Sequence, residues 1–218
     1  MSNRDIIERL TDAKIIAIIR GVAPERMIPL VQALTDGGVC CLEITYDQKE
    51  KDGSQTFTNL KTLAETFGDG ICLGAGTVLT PEQAVSAVEA GARYIISPNT
   101  DAAVIRAAKQ AGAVSMPGAM TPTEAAAAYR AGADIVKLFP AGDLGVGYFK
   151  AIRAPLSHIP FCAVGGITVQ NAAPFLNAGA CCLGVGGNLA NAGLANAGFY
   201  NEITEAARLF TLAVKDIA

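Results

Sequence analysis

Five times along the chain a helical pattern stops at a glycine-centred junction, and an apolar, β-rich run begins directly after it. The junctions are Gly37-Gly38-Val39, Ala90-Gly91-Ala92, Ala111-Gly112-Ala113, Ala131-Gly132-Ala133 and Ala178-Gly179-Ala180. A glycine just past a helix adopts the left-handed conformation that ends it. From Gly91 to Gly112 is 21 residues, and from Gly112 to Gly132 is 20. Gly38 to Gly91 and Gly132 to Gly179 span 53 and 47, about two such steps each. A helix-then-strand step of this length is one βα unit.

Apolar runs at 15–20, 40–45, 71–77, 94–97, 114–117, 135–139, 161–165 and 181–184 give eight candidate strands. Helical patterns fall after each, at 24–35, 56–67, 81–89, 102–110, 123–130, 148–156, 172–178 and 202–217, and a short amphipathic helix precedes the first strand. Thr80-Pro81-Glu82-Gln83 and Thr121-Pro122-Thr123-Glu124 read as capped helix starts, with Asp101 capping the helix between them. Continuous apolar strands alternating with helices mean a parallel sheet covered on both faces. Eight βα units in about 200 residues predict a single α/β domain over residues 1–218, a (β/α)8 TIM barrel. A doubly wound open sheet is the alternative and would more often have five or six strands.

Composition narrows the function. Of the 218 residues, 51% are hydrophobic and 17% charged, which excludes a disordered chain. The formal net charge is −3 and no basic stripe occurs, so neither nucleic acid nor an anionic membrane is the expected partner. No apolar run reaches 18 residues, and the polar start Ser2-Asn3-Arg4-Asp5 lacks a signal-peptide core, so the expected location is cytoplasmic. Cys40, Cys41, Cys72, Cys162, Cys181 and Cys182 all lie in apolar runs without a C-x-x-C pair. They read as buried reduced thiols. With His158 the single histidine, and placed just before a strand rather than after one, a transition-metal site is not expected.

A barrel carries its active site at the C-terminal ends of its strands. Three charges interrupt the apolar strands there. Lys137, in Ile135-Val136-Lys137-Leu138-Phe139, is a candidate nucleophile, because a desolvated amine loses its proton more readily and can attack a carbonyl. Glu43, in Cys41-Leu42-Glu43-Ile44-Thr45, is a candidate proton shuttle. Alternation puts Glu43 on the face of Cys41 and Thr45, and Lys137 on that of Ile135 and Phe139. If both faces point inward, amine and carboxyl share one apolar cavity; the bland alternative is a buried ion pair. Arg20, ending the first strand, can grip a carboxylate. Gly165-Gly166 and Gly186-Gly187-Asn188 follow the last two strands, where barrels often bind phosphate through backbone N–H groups. Gly74-Ala75-Gly76-Thr77 brings bare backbone and a hydroxyl near the mouth.

These residues resemble the 2-keto-3-deoxy-6-phosphogluconate and 2-keto-4-hydroxyglutarate aldolase family over nearly the whole chain. The matching motifs are Ile16-Ala17-Ile18-Ile19-Arg20-Gly21, Leu42-Glu43-Ile44-Thr45, Gly74-Ala75-Gly76-Thr77-Val78-Leu79, Ile96-Ser97-Pro98, Pro117-Gly118, Val136-Lys137-Leu138-Phe139-Pro140-Ala141 and Ala163-Val164-Gly165-Gly166-Ile167. The resemblance implies a homotrimeric class I aldolase without cofactor, acting on a small-molecule 2-keto acid. By that likeness Lys137 forms a Schiff base with the C2 keto group and Glu43 moves protons. Cleavage then yields pyruvate and an aldehyde, glyceraldehyde 3-phosphate or glyoxylate. Arg20 and Thr77 match positions near the carboxylate, Pro98 and Phe139 line the pocket, and Gly165, Gly166, Gly186, Gly187 and Asn188 match the phosphate loops.

The chain departs from that pattern in three places. Asp47 stands where gluconate-type members usually carry arginine, with Lys49 and Lys51 as conceivable substitutes. Val164 stands before the glycine pair, as in the 6-phosphogalactonate branch, and Asn188 replaces a usual serine. A galactonate aldolase is therefore an alternative substrate reading. More remote are a sugar-phosphate isomerase or epimerase using Glu43 alone, and a non-catalytic binding barrel.

Overall fold

The computed structural model describes residues 2–50 and 53–217. Its strands are β1 (Ile15–Ile19), β2 (Cys41–Thr45), β3 (Cys72–Gly76), β4 (Tyr94–Ile96), β5 (Val114–Met116), β6 (Gly118–Ala119), β7 (Val136–Leu138), β8 (Phe161–Val164) and β9 (Cys182–Val185). All pair in parallel, in the order β5-β4-β3-β2-β1-β9-β8-β7-β6. β5 and β6 are two halves of one barrel strand split at Pro117, which has no N–H for a ladder. Lys137 N–H donates to the Pro117 carbonyl (2.9 Å) and Ile135 N–H to that of Ser115 (3.3 Å), which closes the ring. The fold is the (β/α)8 barrel that the junction spacing predicts.

The junctions do what their glycines require. Gly38, Gly91, Gly112, Gly132 and Gly179 have φ of 90°, 107°, 86°, 105° and 96°. At each, the next residue's N–H bonds the carbonyl five residues back: Val39 to Leu34, Ala92 to Ala87, Ala113 to Ala108, Ala133 to Ala128 and Ala180 to Phe175, at 2.9–3.1 Å. These are Schellman closures, which end the helix and aim the chain into the next strand. At the other ends Thr80, Asp101 and Thr121 cap α4 (Pro81–Glu89), α5 (Ala102–Gln110) and α6 (Pro122–Arg130) as expected.

Two apolar layers result. Outward-facing strand residues such as Leu42, Ile44, Leu73, Val136, Leu138 and Ala163 pack against the helices in one large cluster. Inward-facing residues form a second cluster: Ile16, Cys41, Cys72, Tyr94, Ile96, Val114, Met116, Ile135, Cys162, Val164 and Cys182. The amphipathic α1 (Asn3–Ala13), capped by Ser2 and Asp5, adds Ile6 and Leu10 to this inner cluster. Each such buried side chain stabilises by about 1.5–3 kcal/mol.

Two helices differ from expectation. α7 (Ala141–Arg153) begins seven residues before the predicted 148, because Gly142, Gly145 and Gly147 mask its pattern and Gly145 (φ 80°) breaks its geometry internally. α9 (Ala192–Ala197), between β9 and α10 (Tyr200–Val214), was not predicted, since six residues are too few for a helical period to show. Among the described residues no helix is long and apolar enough to cross a membrane.

Candidate active site

The barrel places Glu43 and Lys137 opposite each other. β2 and β7 are four strands apart either way round the ring. Cys41 and Ile135, each two residues earlier, belong to the inner cluster, so period-two alternation turns Glu43 and Lys137 inward too. Both are buried, Glu43 at 1% and Lys137 at 7% exposure. They line one cavity of about 700 Å³ at the C-terminal mouth, and so do Arg20, Thr77, Pro98, Phe139, Gly165, Gly166, Gly186, Gly187 and Asn188. Every site residue expected from the sequence is thus brought to one place. Ile18, Val164, Ile167, Ala190 and Ala192 complete the wall; apart from Val164, which the resemblance marks, nothing in their local sequence separates them from ordinary core.

The bland alternative, a buried ion pair, is not what the structure holds. Ion pairs among the described residues are Arg4–Glu8, Lys109–Asp134 and Arg208–Glu205. Lys137 Nζ lies 5.2 Å from the centre of the Phe139 ring. Glu43 Oε2 is buried and has no hydrogen-bond partner among the described residues. Desolvation raises the Glu43 pKa, opposed by the positive charges of Lys137 and Arg20. Its carboxyl therefore keeps a proton to higher pH than an exposed glutamate does, the property a proton shuttle near neutrality needs.

That shift has a consequence for stability. A carboxyl whose folded pKa is raised gives stability that is complete below the unfolded value of 4.5 and is lost as pH rises through the folded value. Glu43→Gln removes this loss. Its melting temperature should exceed the wild type's by a margin that grows from pH 4 upward and then levels off. A margin independent of pH in thermal unfolding scans would contradict the shift.

At the rim, an Arg20 guanidinium nitrogen donates to Thr77 Oγ1 at 2.9 Å. Thr77 has φ of 56°, a left-handed conformation costly for a β-branched residue. Gln48 Nε2 holds its carbonyl at 2.8 Å, and Gln83 Oε1 accepts from Leu79 N–H at 2.8 Å. Gln83 belongs to the helix start that the sequence marks at Thr80, whereas nothing in its local sequence marks Gln48. On the far side the loop carbonyls are occupied: Gly142 N–H donates to Gly165 (2.7 Å), Asn171 Nδ2 to Gly166 (2.9 Å) and Asn188 Nδ2 to Ile167 (2.8 Å). An anion there meets fewer bare acceptors. Asn188 thus ties one glycine loop to the other.

Asp47 does not line this cavity. Its Oδ1 accepts from the N–H of Lys49 (2.9 Å) in a local turn. Asp47 and Lys49 line a neighbouring cavity of about 670 Å³ that meets the first at Arg20 and Thr77. Lys51 lies outside the described residues. All six cysteines are unbridged, and none lines the catalytic cavity. His158 is exposed, edge-on to Tyr129 at 5.3 Å. Among the described residues no group of three His, Cys, Asp or Glu is arranged to hold a metal ion.

A buried lysine and a buried carboxyl sharing a cavity under a rim that carries Arg20 are what a barrel enzyme of the covalent, amine-dependent kind requires. Comparison with known proteins agrees. The family model described as KDPG and KHG aldolase matches residues 6–206. The 2-dehydro-3-deoxy-6-phosphogalactonate aldolase of Escherichia coli K12 is 38% identical over 184 residues, 84% of this chain and 87% of that one. The KHG/KDPG aldolase of the same strain is 33% identical over 201 residues, 91% of each. The crystal structure of KDPG aldolase from Legionella pneumophila, with pyruvate captured as a covalent carbinolamine intermediate, superposes with a TM-score of 0.84 at 29% identity over 93% of this chain and 96% of that one. The chain belongs to the KDPG and KHG aldolase family, and it is a lyase.

Proposed function

We propose that this protein cleaves a phosphorylated 2-keto-3-deoxy sugar acid into pyruvate and glyceraldehyde 3-phosphate, with Lys137 as the Schiff-base residue and Glu43 as the proton shuttle. The observation that carries this is a buried lysine in none of the ion pairs among the described residues, sharing an apolar cavity with a carboxyl of raised pKa. The neutral amine adds to the C2 carbonyl. Protonated Glu43 donates to the carbinolamine oxygen, which leaves as water and gives the imine. Glu43, now ionised, takes the C4 hydroxyl proton as the C3–C4 bond breaks. The bonding electrons flow into the protonated imine, which becomes the enamine. Glu43 returns the proton to C3, and water then releases pyruvate from Lys137. The Arg20–Thr77 pair holds the carboxylate, and the Gly165, Gly166, Gly186 and Gly187 loops, tied by Asn188, receive the phosphate. Pro98 and Phe139 wall the pocket.

Of the two C4 epimers, the galactonate form is favoured by Val164 in the wall and by the 38% identity to a galactonate aldolase. Comparing kcat/KM for the gluconate, galactonate and hydroxyglutarate substrates decides between them. A homotrimer in the cytoplasm belongs to this reading by family likeness, and sedimentation checks the oligomer.

The direct test is borohydride reduction in the presence of pyruvate, read by intact mass and peptide mapping. The expected result is a single adduct on Lys137. A folded protein that forms none in excess pyruvate would overturn the Schiff-base assignment.

A further inference from the structure

The loop that presents Arg20 is held by a residue outside the reacting set. Asn196, on α9, donates from Nδ2 to the carbonyl of Gly21 (3.1 Å) and accepts at Oδ1 from the N–H of Ala23 (2.9 Å). One side-chain amide thus pairs with residues i and i+2 as a neighbouring strand would. Between those two bonds the loop has little else to hold it. Gly21, next to Arg20, has φ of +68°, and a Cβ built there would meet nothing within 4 Å. Val22 is buried in the core cluster between strands and helices, but burial of a side chain two residues on does not set the rotation of the Arg20–Gly21 peptide.

We infer that Asn196 is a positioning residue: by clipping Gly21 and Ala23 it fixes the turn from which Arg20 reaches Thr77 and the substrate's carboxylate. This rests on the proposed function. The physical argument is preorganisation. A long, exposed guanidinium on a glycine hinge samples many positions, and every one it must abandon on binding weakens the complex. Lys137 and Glu43 sit on β7 and β2, which the clip does not touch, so the chemical step proceeds at its usual rate once the keto acid is seated.

The experiment is borohydride trapping at graded pyruvate concentrations. Asn196→Ala should raise the half-saturating concentration about fivefold, as expected for two exposed hydrogen bonds, with the plateau rate and melting temperature unchanged. Asn196→Asp, which keeps the acceptor for Ala23 but sets a carboxylate oxygen against the Gly21 carbonyl, should shift it at least as far. In an Arg20→Ala background, adding Asn196→Ala should change nothing further, because the clip acts through Arg20. An unchanged half-saturation in Asn196→Ala, or a shift of equal size in the Arg20→Ala background, would overturn the inference. Hydrogen exchange at residues 21–23 reads the clip without substrate: protection of the Ala23 amide should fall in Asn196→Ala, and retained protection is a second overturning result. Failure of the wild type itself to trap pyruvate counts against the aldolase reading instead, and leaves the exchange result standing as the test of the clip.

Discussion

Lys137→Met is expected to abolish turnover while leaving the barrel folded and, if anything, more stable. As the proposed nucleophile, Lys137 would contribute through a covalent intermediate, so its loss should lower kcat on the order of 10⁴-fold or more. No pyruvate adduct should form with borohydride. The stability change runs the other way because of where the lysine sits. Its side chain is 7% exposed and is in none of the ion pairs among the described residues. Burying a polar amine costs the hydrogen bonds it made with water, and methionine supplies nearly the same shape without that group. A gain of about 1 kcal/mol would raise the melting temperature by about 2–4 °C in a chain of this size. Loss of activity with a lower melting temperature would point to a structural lysine. Retained activity would end the Schiff-base mechanism.

The same placement explains why so much of the site was legible in the sequence. Lys137 and Glu43 each break an apolar strand, and a chain rarely violates its own pattern inside a core except where chemistry needs it. Arg20 and the two glycine pairs fall at strand ends, the positions a barrel reserves for its mouth. The strands themselves were legible because glycine junctions and continuous apolar runs agree on the same boundaries. What stayed hidden is of two kinds. Short or glycine-rich segments carry no period, so α9 and the first turns of α7 could not be read. Non-local partners carry no local signal at all. Asn196 is 175 residues from Gly21, and Gln48 looks like any loop amide until it is seen holding the carbonyl of Thr77. Asp47 shows the limit from the other side. It stands where the resemblance leads one to expect an arginine, and an aspartate facing an anionic substrate would be unfavourable, but the bond from the Lys49 N–H turns that carboxylate into its own loop.

Gly76→Ala should cripple the enzyme although it adds a single methyl group to a residue with no polar side chain. Gly76 ends β3 and pairs with Thr45, two residues past Glu43 on the neighbouring strand. A Cβ built on it would fall inside the Glu43 carboxyl, with Glu43 Cγ at 2.6 Å. The strand has glycine there because the Glu43 carboxyl lies across its backbone. The methyl leaves two outcomes: the carboxyl swings away from the reacting carbons, or the strands spread. Either displaces it on the scale of an ångström, which costs about 10²-fold in rate when a catalytic group is involved. Overpacking of this kind also destabilises by about 1–3 kcal/mol. The two effects can be assigned to one contact with a double-mutant cycle. In a Glu43→Ala background the carboxyl is gone, the new methyl has room, and the Gly76→Ala destabilisation should largely vanish in thermal unfolding. That non-additivity is the signature of two groups competing for one volume. Equal destabilisation in both backgrounds would mean that the methyl strains β3 itself, and that the Glu43 carboxyl does not rest on Gly76.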